Sequence, residues 1–95
     1  MIQFKDLIFK DHHHMINAHH VFDNDWEISV SAGVGAYSTP REDIKDPAKF
    51  SSFEIAIFNP DGDFATGEVL QIDDDVVGWQ GREDINNIIE MIVDQ

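Results

Sequence analysis

The sequence predicts an α+β fold, a mostly antiparallel sheet of four or five strands with one C-terminal helix packed on one face. Three observations carry that prediction. Trp26, Ile28, Val30, Ala32 and Val34 alternate with Glu27, Ser29, Ser31 and Gly33, a period of two that belongs to a strand with one wet side. The apolar run Phe53–Phe58 ends in Asn59-Pro60-Asp61-Gly62-Asp63, where Pro fixes φ and Asp-Gly supplies a positive-φ step. Ile85, Ile88, Ile89 and Ile92 fall at offsets of three, four and seven, a single helical stripe.

In chain order, Gln3 to Phe9 is rich in strand formers and is expected to be a first strand, although its alternation is imperfect. The second half of Asp11 to Phe22 reads as a strand running into a turn at Asp23-Asn24-Asp25, residue types that tolerate the left-handed backbone of a tight hairpin. The alternating strand Trp26–Val34 follows, loosened at its end by Gly33 and Gly35. Ser38 to Ser52 holds two prolines and no sustained apolar pattern, so it is expected to be a loop, with room for a helical turn near Arg41 to Lys45. Phe53–Phe58 is apolar on both faces and is placed inside the sheet. Phe64 to Leu70 is expected to return beside it as a hairpin strand, with Gly67 marking a bulge. Asp73 to Trp79 is a link into the helix Arg82–Val93, whose first turn carries Glu83 and Asp84 and whose N-cap is Gly81.

Ninety-five residues amount to one domain, 1–95, with space for a compact core but not for a deep enclosed site. Seven Phe, two Trp and 42% apolar residues are enough to drive folding despite the charge. No cysteine is present, which excludes disulfides and thiolate chemistry and fits a reducing compartment. No apolar run approaches the ~18–20 residues of a membrane span, and the first residues lack the pattern of a signal peptide. A cytoplasmic protein is the expectation.

Six Lys and Arg stand against nineteen Asp and Glu, a formal charge of −13. Direct binding to nucleic acid or to an anionic membrane is disfavoured, because phosphate contact needs cations. A protein with a basic surface would instead be steered toward this one, while the plain alternative is an acidic surface that serves solubility.

No nucleophile elbow and no phosphate-cradling glycine loop is present, so a binding role is expected over an enzymatic one, without a cofactor. Asp61 and Asp63 with Gly62, and Asp73 to Asp75, lack the ligand spacing of a calcium loop and read as a turn and a solvated link. Five histidines lie between His12 and His20. Imidazoles are good ligands for borderline metals, and a single strand would put His12, His14 and His20 on one face. His14 and His20 would then stand roughly 20 Å apart, too far for one ion without a turn, so a solvated edge strand competes with the metal reading. Trp26 and Trp79 both stand beside carboxylates. They are either core anchors or the aromatic centre of a binding patch formed with Asp73, Asp74, Asp75, Glu83 and Asp84.

Phe22-Asp23-Asn24-Asp25-Trp26-Glu27-Ile28-Ser29-Val30 resembles the turn and strand of a group of small uncharacterised proteins encoded by bacteriophages and prophages. Phe53-Glu54-Ile55-Ala56-Ile57 resembles that group's central strand, and Asp74-Asp75-Val76-Val77-Gly78-Trp79 its link into a terminal acidic helix. The likeness runs from about residue 18 to the C-terminus and departs at Asp25, where the group has Gly, and in the Ser38–Ser52 loop. These motifs are structural, so the resemblance implies a phage origin and a similar fold without an activity. Some small acidic phage proteins inhibit host proteins, at times by presenting carboxylates where DNA phosphates would lie. The expectations are therefore an interaction protein that binds a basic surface of a host or phage protein, a structural homo-oligomer paired through a sheet edge or an uncovered apolar face, or a histidine-based metal binder.

Overall fold

The computed structural model describes residues 1–95. Five strands form one antiparallel sheet in the order of the chain: β1 (Lys10–His12), β2 (Met15–Val21), β3 (Glu27–Gly33), β4 (Phe53–Phe58) and β5 (Val77–Gln80). Every neighbour is next in sequence among the strands, so each connection returns the chain antiparallel beside the strand it has left. A short helix, α1 (Thr66–Leu70), and the C-terminal helix, α2 (Arg82–Val93), complete the fold.

The period-two pattern decides which side is buried. Ile28 pairs with Ile57 and Val30 with Ile55, and residues opposite each other in a ladder project to one face. That face also carries Ile16, Ala18, Ala32 and Phe53, and it joins Ile85, Ile88, Ile89 and Ile92 of α2 in one cluster of 16 buried residues. The helical stripe therefore does what its spacing requires. Gly81 is the N-cap, with extended backbone, and its N–H donates to Asp84 Oδ2 at 2.9 Å. Asp84→Ala removes that acceptor from the first turn. The expected cost is about 1 kcal/mol, read as a small downward shift of the thermal midpoint, while Asp84→Asn retains most of the stability.

Two turns form as their residues dictate. Asp25 adopts φ 67 between β2 and β3, and Asn24 ties that turn to the end of α2 by donating to Ile92 O at 3.0 Å. After β4, Gly62 adopts φ 85, and Asn59 Oδ1 accepts from the N–H groups of Asp61 and Asp63, both at 3.0 Å.

Four expectations are corrected. Gln3 to Phe9 is not a strand: Phe4–Asp6 is a 3-10 turn, and pairing begins only at Lys10. The rings of Phe4 and Phe9 lie 5.0 and 5.7 Å from that of Phe53, so the aromatic side chains are used to close the core beside α2 rather than to extend the sheet. Phe64 to Leu70 is not the partner of β4 either. Phe64 makes a single bridge to Phe58, and Thr66–Leu70 is helical, held by Thr66 Oγ1 accepting from Ile57 N at 2.8 Å. The open edge of β4 is taken by Val77–Gln80, the segment expected to be a link. The helical turn in the Ser38–Ser52 loop falls at Pro47–Lys49, capped by Asp46, because Pro suits a first helical position.

The sheet face opposite α2 is mostly polar. It carries Lys10, Asn17, His19, Glu27, Ser29, Ser31 and Glu54, with Met15, Val21, Ala56 and Phe58 among them, as the strand register dictates. The face left uncovered by the helix is thus mixed rather than continuously apolar. No helix is long and apolar enough to cross a membrane.

Candidate functional site

Of the acidic residues singled out from the sequence, Asp73, Asp74 and Asp75 share one groove that Glu83 and Asp84 do not line. Asp73, Asp74 and Asp75 lie exposed in the loop between α1 and β5. They line a shallow groove together with Glu68, Phe64, Gly67 and Ile72. Phe64 is 53% and Ile72 37% exposed, so two apolar side chains stand in water among four carboxylates. Local structure fixes the groove. Asp74 Oδ1 accepts from Asp75 N at 2.7 Å, and a Cβ on Gly67 would stand 2.7 Å from Ile72 O, so only glycine allows the loop to close against α1. The Phe64 ring rests on Phe58 with centroids 4.8 Å apart.

Trp79 belongs to a different corner. It is 57% exposed with φ 52, at the irregularity where two residues of β5 oppose one of β4, a bulge that re-aims a side chain. Its ring lies 5.2 Å from that of Tyr37, and the Arg41 guanidinium caps Tyr37 at 5.2 Å. Trp26 is partly buried against the core. Glu83 and Asp84 are exposed in the first turn of α2, where Asp84 serves as the cap acceptor. Phe64, Ile72, Glu68 and Tyr37 escaped sequence reading. Phe64 and Ile72 look like core residues until the chain turns helical at Thr66. Other carboxylates, among them Asp6, Asp23, Asp25, Asp61, Asp63, Glu90 and Asp94, are exposed elsewhere, so the negative field surrounds several sides of the molecule.

The histidines separate. His13, with φ 58, and His14 form the tight turn between β1 and β2, which folds the tract back on itself. His12 sits on β1 with its ring 5.2 Å from that of His13. His14 Nδ1 lies 3.1 Å from Asp43 Oδ2, and His20 meets the ring of Phe22 edge-on at 4.8 Å. His12, His14 and His20 are thus not brought together, and no group of three or more His, Asp or Glu side chains is set to hold a metal ion.

The His14 turn is tied to the Ser38–Ser52 loop. Asp43 receives His14 on one oxygen and Lys45 Nζ, at 3.0 Å, on the other, while Lys45 also donates to His13 O. The hydrogen bond with His14, and then that from Lys45, hold the Asp43 carboxyl below its ordinary value. A depressed carboxylate contributes stability above its unfolded value and loses it as pH falls through the folded one. Asp43→Asn is therefore expected to speed amide exchange in the 13–15 turn and the 43–45 loop at neutral pH. The difference from the parent should vanish in acid, below the ordinary carboxylate range. The Asp43 side chain is exposed, so the effect on global stability is small.

Comparison of the chain with protein-family models, with curated proteins and with solved structures finds no match.

Proposed function

We propose that this chain is a non-catalytic interaction module, of the small phage-encoded type, that binds a basic surface of a host protein in the cytoplasm. The observation that supports this reading is the groove in which Glu68, Asp73, Asp74 and Asp75 surround the exposed side chains of Phe64 and Ile72. Carboxylates spread over the rest of the surface steer a cationic partner without giving it an address. The groove supplies the address, because apolar contact at its centre strengthens with burial while its charged rim selects Lys and Arg. The partner segment is accordingly basic with one or two large apolar side chains. This version does not need carboxylates spaced like DNA phosphates.

The test is a pull-down with C-terminally tagged protein from a bacterial lysate, eluted by rising salt and run beside a Glu68→Gln/Asp73→Asn/Asp74→Asn/Asp75→Asn variant. A discrete basic protein, released at moderate salt and missing from the variant, is the expected result. Equal recovery by both proteins would exclude the groove.

A second reading is favoured by one observation. β1 covers β2 only from Met15 to Asn17, leaving the outer edge of Ala18 to Val21 without a strand beside it. Pairing of two copies through that edge would make a homodimer of a structural accessory protein. Such a dimer persists at high salt, whereas the electrostatic complex weakens.

A further inference from the structure

We propose that the polar face of the sheet binds a phosphate group, in the concavity bordered by Lys10, His12, Asn17 and His19. Lys10 pairs with Asn17 and His12 with Met15 across β1 and β2, and His19 lies two residues beyond Asn17 on the same strand. The four side chains therefore project to one face, opposite the core, and with Ile8 and Asp11 they line one depression.

Two of these side chains are oriented in advance. His19 Nδ1 lies 2.5 Å from Glu27 Oε2, which leaves Nε2 free. Asn17 Nδ2 donates to Ser31 Oγ at 2.8 Å, to Ser29 Oγ at 3.0 Å and toward Val30 O at 3.4 Å. A carbonyl oxygen only accepts, so the amide nitrogen is fixed on that side and Oδ1 has no partner within the fold. Pre-oriented groups bind at a lower entropic cost.

The charge at this place runs against the rest of the chain. Lys10 makes no ion pair, although carboxylates outnumber bases nineteen to six. The titratable and charged groups facing His19 are Glu27 on β3 and Lys10, Asp11 and His12 on β1. Glu27 is engaged by His19, and Asp11 is the one carboxylate at the rim. Lys10 supplies donors to an oxyanion, and so does His19 Nε2 when the imidazole is protonated. The free Asn17 Oδ1 supplies an acceptor, and it is satisfied by an oxyanion that carries a proton. Phosphate and its monoesters do so near neutral pH, and sulfate does not.

The probe is inorganic phosphate, titrated at about pH 6, on the acid side of the ordinary imidazole range, and followed by amide and imidazole NMR shifts. Sodium sulfate at matched ionic strength is the comparison. Saturable shifts confined to Lys10, His12, Asn17 and His19, weaker with sulfate, are expected at millimolar phosphate. Lys10→Gln should weaken the affinity about tenfold, the worth of one charge-assisted hydrogen bond, and His19→Gln should weaken it comparably. Shifts that do not saturate, equal responses to sulfate and phosphate, or unchanged affinity in Lys10→Gln would each overturn the proposal. Both substitutions are at exposed side chains, and retention of the parent amide spectrum elsewhere shows that each variant is folded.

Discussion

Phe53→Ala is expected to lower the thermal midpoint by roughly 15–25 °C, the consequence of losing about 3–5 kcal/mol. Phe53 is fully buried, and three separate parts of the chain converge on its ring. Phe4 and Phe9 approach from the N-terminal segment at 5.0 and 5.7 Å. Phe50 arrives from the end of the long loop at 6.0 Å, and the Arg82 guanidinium of α2 at 5.4 Å. Removing the ring leaves a cavity that these neighbours cannot all collapse into, since Phe50 is itself buried and the neighbours are held by three separate parts of the chain. A domain of this kind has about 5–15 kcal/mol in total, so the variant stands near the threshold of folding. Thermal melts followed by far-ultraviolet circular dichroism measure the shift. A fall of only a few degrees would mean that the N-terminal aromatics do not share a core with β4.

Gly33→Ala is the second large effect. Gly33 ends β3 with φ 133, in a region that an L side chain rarely enters. An added Cβ would stand 2.6 Å from His14 O and 2.7 Å from Met15 Cα. Both obstacles are backbone, one in the His13-His14 turn and one at the first residue of the paired strand, where Met15 is the register partner of Gly33, so no rotamer change relieves them. The same residue donates its N–H to the buried Ser38 Oγ at 3.0 Å, which fixes the path into the long loop. A cost of about 2–4 kcal/mol is expected, with the amide shifts of His13 to Met15 displaced most. An unchanged melting point would contradict this pairing.

What was legible in the sequence was whatever a single period or a local turn determines. Ile85, Ile88, Ile89 and Ile92 announce a helix and its buried stripe, and all four are buried. Ile28, Val30 and Ala32 do the same for β3, and Asn24-Asp25 and Asp61-Gly62 for their turns. The misreadings lie where tertiary competition decides. Phe64 to Leu70 and Val77 to Gln80 both have the composition to pair with β4, and nothing local says that Thr66 will hydrogen-bond Ile57 and leave the edge to the later segment. Phe4 and Phe9 look like strand residues for the same reason that they make good core residues, since aromatic side chains serve both. The groove was half legible. Asp73 to Asp75 stand out as a run, but Phe64, Ile72 and Glu68 join them only because α1 forms. The histidines could not be placed without knowing that the chain reverses at His13-His14.

The central claim is that the groove, and not the overall charge, recognises a basic segment. The most direct measurement is calorimetric titration of a synthetic peptide of alternating Lys and Leu into three proteins. These are the parent, the groove variant Glu68→Gln/Asp73→Asn/Asp74→Asn/Asp75→Asn, and a control with the same charge, Asp23→Asn/Asp25→Asn/Asp61→Asn/Asp63→Asn. The account predicts affinity that falls with salt, is weakened about tenfold in the groove variant and is nearly unchanged in the control. Equal weakening in the two variants would contradict it, because net charge alone would then explain the binding.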